Sequence, residues 1–191
     1  MKKPQTSIEP NKSSMNEEDL INGCIEENSA CQRELYEKYG GKMFAVCLRY
    51  ASSREDAEDA LQEAFIRIFD NISKFRREGS FEGWMRRITV HTVLRLIQKK
   101  TPLQYAEDTS TLTKISTASD AISQLSEKDL LGLINQLPTG YKVVFNMYAI
   151  EGYSHAEIAE SLGISEGTSR SQYSRAKKHL QHFIHKLYHI D

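Results

Sequence analysis

The chain has 191 residues, enough for one or two small domains, and a formal net charge of −1. So weak a net charge excludes a protein that binds nucleic acid through its overall charge alone. No apolar run approaches the length of a membrane span, and the three cysteines form no CxxC pair, which is typical of reduced thiols. We therefore expect a soluble, cytoplasmic protein.

The N-terminal part is predicted to be a short tail followed by helices. Residues 1–16 are polar, contain two prolines and show no periodicity, so we predict a disordered tail. Apolar residues then recur at helical spacing from Glu17 to Tyr50, and Gly40-Gly41 marks an expected break or kink.

The next predicted helix is acidic on one side. Ser53 and Asp56 have the spacing of a helix N-terminus, and the residues that follow are apolar on one face. The opposite face carries Asp59 and Glu63, with Ile66 among the charges. Single exposed hydrophobic residues are normal, so Ile66 fits either an ordinary surface or a docking surface for a protein partner.

A third strong helix, from Phe81 to about Lys100, is basic. Its position beside the acidic residues 55–63 suggests one surface for a protein partner and another for phosphates. Trp84 lies at helical spacing from Phe81, which favours packing in the core over stacking on a base.

The chain is predicted to be all-α, with two small helical domains joined by a flexible linker. Residues 101–121 lose the helical pattern and are rich in threonine and serine, which is typical of a linker. The first domain then spans residues 17–100 and the second spans residues 122–191.

The second domain contains a predicted helix-turn-helix. Ser154 and Glu157 have the spacing of a capping box, and Gly163 can end the helix that begins there. Ser165 can cap a second helix, which would enter a DNA major groove. The outer face of that helix carries basic and hydroxyl side chains: Arg170, Ser171, Ser174, Arg175, Lys177 and Lys178. A solvated helical hairpin is the alternative interpretation.

Three segments in this order resemble the sigma-70 family of bacterial transcription initiation factors, in its extracytoplasmic-function (ECF) group. The first is DAEDALQEAFIRIF at 56–69, which is similar to the polymerase-binding helix of region two. The second is FEGWMRRITVHTVLRLIQKK at 81–100, which is similar to the helix that reads the minus-ten element. The third, at 137–180, resembles region four, which reads the minus-thirty-five element.

The resemblance implies three sets of site residues. Core RNA polymerase would be bound by Asp56, Asp59, Gln62, Glu63 and Ile66. The minus-ten DNA would be bound by Arg76, Arg77, Arg86, Arg87 and His91. The minus-thirty-five DNA would be bound by the six outer residues of the second helix-turn-helix helix. An anti-sigma factor is a usual partner in this group and is a candidate partner here.

This sequence departs from the family pattern at three of the matched positions. His91 stands where an Asn is common, Arg95 where an Asp is common, and Ser169 where a Val commonly packs behind the recognition helix. The promoter sequence therefore does not follow from the resemblance, and we expect the recognition helix to seat differently.

Other functions make different predictions. A stand-alone helix-turn-helix regulator would have no use for Ile66 amid carboxylates, and a helical anti-sigma antagonist would have no use for a basic recognition face. The histidines at 179, 182, 185 and 189 have metal-ligand spacing, but a solvated helix end explains them better. No Walker loop, nucleophile elbow or dinucleotide-binding glycine motif is present, so we expect neither enzymatic activity nor a cofactor.

Overall fold

The computed structural model describes residues 15–100 and 127–188. All regular secondary structure within these ranges is helical, which agrees with the all-α prediction. Most of the predicted tail, residues 1–14, and the predicted linker, residues 101–121, lie outside the described residues.

The first domain is built from helices with side-chain caps. They are α1 (Glu17–Ile25), α2 (Ser29–Tyr50), α3 (Arg54–Asn71) and α4 (Phe81–Lys100), with a 3-10 turn (Ile72–Lys74) after α3. Asn16, Asn28 and Ser53 each accept a hydrogen bond from a backbone N–H of the first turn that follows them. The predicted N-terminus at Ser53 is confirmed, because Asp56 N donates to Ser53 Oγ at 3.1 Å.

Of the break or kink predicted at Gly40-Gly41, the break is not observed. Helix α2 runs through both glycines, and neither has a positive φ. Gly40 is buried, while Tyr39 and Met43 beside it pack in the core. Packing of the flanking side chains therefore outweighs the low helix propensity of two glycines.

The core of the first domain lies where α3 packs against α2 and α4. The residues of α3 that the sequence places inside are buried: Ala57, Ala60, Leu61, Ala64, Phe65 and Ile68. Met43 and Tyr50 of α2 and Met85 of α4 fill the space around them and are fully buried. The predicted apolar face of α3 is thus confirmed, and its opposite face is left to solvent.

The three cysteines are buried free thiols. Burial raises the pKa of Cys24 to about 11 and that of Cys47 to about 12, because a thiolate is poorly solvated there. We expect both to be alkylated at pH 8 at least roughly 100-fold more slowly than in the unfolded chain. Mass spectrometry of alkylation with and without urea measures this, and equal rates in the two conditions would contradict it.

The second domain has its own small core. Its helices are α5 (Glu127–Asn135), α6 (Thr139–Phe145), α7 (His155–Leu162) and α8 (Glu166–Tyr188), with a π-helical turn (Asn146–Ile150) after α6. Leu133, Ile134 and Tyr141 pack against Ala176 and Leu180 of α8. The predicted buried face of the second helix-turn-helix helix is therefore confirmed.

The two domains also contact each other through apolar side chains. Val143, Val144 and Met147, from α6 and the turn after it, are fully buried in the same cluster as Tyr50 of α2. Burial of this kind removes apolar surface of both domains from water and favours their association.

Polar contacts join the domains at the C-terminal end of α2. Asn146 Nδ2 donates to Arg49 O at 2.8 Å, and Lys142 Nζ donates to Ala51 O at 3.3 Å. Carbonyls at the end of a helix have no partner within it, and they favour a nearby cation. Lys142 is buried, which lowers the pKa of its ammonium group.

Candidate protein and nucleic-acid interfaces

One face of α3 carries the residues predicted to bind polymerase. They are Asp56, Asp59, Gln62, Glu63 and Ile66. Their spacing of three and four residues places them on one side of the helix. Asp59 and Gln62 are exposed, and Ile66 is 56% exposed. The structure thus brings these residues together as an acidic surface that contains one large apolar side chain, which we call the α3 face.

Basic residues of α3 and α4 lie at the edge of the α3 face. Glu63 Oε1 contacts Arg67 Nη2 at 2.8 Å and Arg95 Nη2 at 3.1 Å. Asp56 forms an ion pair with Lys100, which raises the pKa of that lysine. These pairs are solvent-exposed or nearly so, and such pairs contribute little to stability. They leave the carboxylates accessible to a competing cationic partner.

The residues predicted to bind minus-ten DNA come from two places. Arg76 and Arg77 lie in the loop before α4, and Arg86, Arg87 and His91 lie on α4. Arg77 has a φ of 61°, and its Nη2 lies 3.3 Å from both Glu18 Oε1 and Asn22 Oδ1 of α1. The loop is thereby held against α1 with the arginine exposed.

The first two turns of α4 face a cleft between the two domains. Trp84 is half-buried, stacks on Phe81 with ring centroids 5.6 Å apart, and lines the cleft with Arg87. The His91 ring meets the edge of Tyr153 from the second domain at 6.1 Å. Burial, with Arg87 nearby, lowers the pKa of His91, so its ring is neutral at pH 7.

Glu151 connects the two domains and was not found from the sequence. Its side chain is only 1% exposed, and its Oε1 lies 2.6 Å from Nη2 of Arg49, which is 16% exposed. Its Oε2 lies 3.3 Å from Nη1 of Arg86, one of the predicted DNA-binding residues. A loop glutamate carries no periodic signal, so only the arrangement of the domains identifies it.

The helix-turn-helix has the predicted local structure. Ser154 and Glu157 form a complete capping box at the start of α7. Gly163 has a φ of 67° and ends α7 in the left-handed conformation that glycine adopts without strain. Ser165 Oγ accepts a hydrogen bond from Thr168 N at 3.0 Å at the start of α8.

The outer face of α8 carries the six residues predicted to bind minus-thirty-five DNA. Five of them are exposed, namely Arg170, Ser171, Ser174, Lys177 and Lys178, while Arg175 is half-buried. Arg170 Nη2 pairs with Glu166 Oε2 at 2.6 Å, and Lys177 Nζ lies 4.9 Å from the centre of the Tyr173 ring. The face is open to solvent, as a major-groove helix requires.

Behind this face, Ser169 is completely buried. Its Oγ lies 2.8 Å from Nδ1 of His155, at the start of α7. A polar pair therefore occupies the position at which the resemblance led us to expect an apolar residue. Its partner, His155, was not found from the sequence.

Comparison with known proteins matches both domains. A model of sigma-70 region 2 matches residues 35–102, and a model of sigma-70 region 4 matches residues 127–180. The ECF RNA polymerase sigma-E factor of Haemophilus influenzae is 30% identical over 165 residues, which cover 80% of this chain and 87% of the relative. This chain belongs to the ECF group of the sigma-70 family. The ECF RNA polymerase sigma factor SigW of Bacillus subtilis is also 30% identical, over 81% of this sigma factor and 89% of SigW.

Two further matches show how far the likeness of this sigma factor extends. ECF RNA polymerase sigma factor SigE of Mycolicibacterium smegmatis is 27% identical over 158 residues, which cover 80% of this chain but 61% of the relative. The structure of the sigma factor RpoE of Bartonella quintana, in complex with the anti-sigma factor NepR, has a TM-score of 0.51 and 18% identity over 83% of this chain and 97% of that one. The predicted family and the helical two-domain fold are confirmed, and members of the family are transcription initiation factors.

Metal sites and membrane-spanning helices are both absent from the part of this sigma factor that the structure describes. Among residues 15–100 and 127–188, no group of three or more His, Cys, Asp or Glu side chains could hold a metal ion. His189, one of the four histidines with metal-ligand spacing, lies outside those ranges. In the same ranges, every helix is too short or too polar to cross a membrane.

Proposed function

We propose that this sigma factor binds core RNA polymerase through the α3 face and reads promoters with α4 at the minus-ten element and α8 at the minus-thirty-five element. The observation that carries the proposal is the presence, in one chain, of an acidic helix with the exposed Ile66 and a helix-turn-helix with a basic outer face. The first surface suits a cationic protein partner, and the second suits DNA. The protein would act in the cytoplasm, where RNA polymerase transcribes.

At the minus-ten element, the basic residues near α4 would hold a strand as it melts. Arg76, Arg77 and Arg87 are exposed and would contact phosphates. A base that leaves the stack costs a few kcal/mol, which a stacking surface must recover. Phe81 is buried and cannot provide that surface, whereas the half-buried Trp84 lines the cleft, and His91 contacts Tyr153, another residue of the cleft wall.

Arg86 would have to change partners when DNA binds. In this structure its guanidinium group contacts Glu151, so a phosphate must displace that carboxylate. Together with the net charge of −1, this competition would keep DNA binding by the free chain weak. Polymerase would then supply the remaining positive surface.

An anti-sigma factor is a further proposed partner. RpoE of Bartonella quintana, which shares this fold, is bound by the anti-sigma factor NepR in its solved structure. A cognate antagonist for this chain would regulate how much of it reaches polymerase. Co-purification of the tagged chain from its own cells would test for one, and recovery of polymerase alone would count against it.

Reconstituted transcription tests the proposed function directly. Core polymerase without a sigma factor does not initiate at promoters, so adding this chain should restore run-off transcripts from a genomic promoter library. A stand-alone regulator would bind DNA but leave core polymerase inactive. Sequencing the DNA bound by the reconstituted holoenzyme would give the promoter elements.

Arg170→Ala should reduce discrimination at the minus-thirty-five element by about 1–3 kcal/mol, because a bidentate arginine contact to a base edge would be lost. The loss should be confined to one or two base positions. Competition binding of holoenzyme to single-base promoter variants measures it. Lys186→Ala, an exposed basic residue in the last turn of the same helix, is the control and should leave base preference unchanged. Equal effects of both changes would argue against base contact by Arg170.

A further inference from the structure

The first residue of α7, His155, contacts three side chains of the second domain at once. Its ring stacks on Tyr148, from the turn after α6, with centroids 4.3 Å apart and planes 13° apart. It meets the ring of Tyr173 of α8 at 6.0 Å, nearly edge-on. Its Nδ1 lies 2.8 Å from Ser169 Oγ. The imidazole thus joins the start of α7 to the first turns of α8.

Ser169 makes this contact in the protein interior, where a hydroxyl group without a hydrogen-bond partner destabilises the fold. Its side chain is 0% exposed, so water does not satisfy its hydroxyl group. The hydrogen bond between Ser169 and His155 has a defined length and direction, unlike the contact of an apolar side chain. Arg170 and Ser171 follow Ser169 directly, so rotation of Ser169 moves both of them.

The His155 ring also borders the side of α8 that faces DNA in the proposed function. Tyr148, His155, Glu166 and Arg170 line one open groove beside the recognition helix. Burial, with Arg170 nearby, lowers the pKa of His155, so the ring is neutral at pH 7 and does not repel the arginine. His155 can therefore influence which bases α8 recognises without contacting a base itself.

We propose that His155 is a positioning residue that fixes the rotation and depth of the first turns of α8 through Ser169, and so determines which minus-thirty-five bases are read. The inference rests on the proposed reading of minus-thirty-five DNA by α8. The polar pair replaces the apolar contact expected at Ser169. The hydrogen bond therefore sets the orientation of Arg170, Ser171 and Ser174 relative to the DNA. A change at His155 then alters base preference without touching DNA.

A purely structural role for His155 makes a different prediction. If the histidine only stabilised the helix-turn-helix, its loss would lower the melting temperature and weaken binding to all promoters alike. A positioning role instead changes the order of preference among minus-thirty-five sequences. The ratio of affinities among minus-thirty-five sequences, measured in competition at limiting holoenzyme, separates these two roles.

The experiment uses holoenzyme and a promoter library with a fixed minus-ten element and a randomised minus-thirty-five element. His155→Phe keeps an aromatic ring for Tyr148 but removes the hydrogen bond, and Ser169→Ala removes it from the other side. Each variant should change the ratio of affinities for the best and second-best sequences by about tenfold, which corresponds to the loss of one hydrogen bond. The double variant should change it no further than either single variant, because both remove the same bond.

His155→Asn provides the rescue. Its side-chain amide places a polar atom the same number of bonds from Cα as Nδ1 of histidine, so it can reach Ser169 and should retain the wild-type preference. If the phenylalanine variant does not fold, Ser169→Ala and His155→Asn still decide the question. Uniform weakening on all sequences, or unchanged preference in Ser169→Ala, would overturn the inference. A wild-type holoenzyme with no minus-thirty-five preference would instead overturn the proposed function on which the inference rests.

Discussion

Glu151→Ala should shift the free protein toward an arrangement with separated domains. The change removes a carboxylate that is 1% exposed and leaves Arg49, which is 16% exposed, without its 2.6 Å partner. Removing one member of a buried ion pair typically costs about 3–5 kcal/mol, because the remaining charge is left in a poorly solvated place. Arg86 is more exposed and can rehydrate, so the lower end of that range applies.

The domains remain joined by the chain, so the loss appears as a shift in their arrangement. A cost of about 3 kcal/mol changes the equilibrium between associated and separated domains by roughly 150-fold. Small-angle X-ray scattering should show a larger radius of gyration and a broader distance distribution. Glu160→Ala, an exposed glutamate on α7, is the matched control and should leave both unchanged. The same scattering profile for both variants would show that Glu151 does not hold the domains together.

Local features of the fold were predictable because neighbouring residues determine them. The N-terminus at Ser53, the capping box at Ser154 and the αL ending at Gly163 depend on side chains within four residues. The apolar face of α3 depends on spacing alone. The break expected at Gly40 is absent because packing of the flanking side chains against distant residues keeps the helix continuous. No local sequence pattern reveals those contacts.

Features that depend on contacts between distant residues escaped prediction. Glu151 meets Arg49, 102 positions earlier in the chain, and Lys142 meets Ala51, 91 positions earlier. His155 and Ser169 are only 14 positions apart, but their contact depends on how the turn between α7 and α8 folds back. A family resemblance can mark Ser169 as unusual, but only the folded structure shows that His155 is the hydrogen-bond partner of its hydroxyl group.

Ile66→Ala should weaken binding to core RNA polymerase by roughly 30-fold or more, the usual effect of removing an apolar interface residue worth about 2 kcal/mol. Ile66 is 56% exposed and lies one turn from the exposed Gln62 on the α3 face. Surface residues contribute little to folding, so the melting temperature should change little. Fluorescence anisotropy of labelled protein titrated with core polymerase measures the affinity.

The control for this change is Ile25→Ala, because Ile25 is the same residue type, is 43% exposed, and lies on α1 outside the α3 face. Scattered exposed hydrophobic residues are normal on protein surfaces, so exposure alone predicts equal and small effects for the two variants. The difference in polymerase affinity between the two variants therefore isolates the contribution of the α3 face to binding. The carboxylates around Ile66 would attract a cationic partner, so added salt should slow association with polymerase. Loss of the isoleucine should instead mainly speed dissociation from polymerase. Equal affinities of the two variants would remove Ile66 from the polymerase-binding surface, whatever the carboxylates contribute.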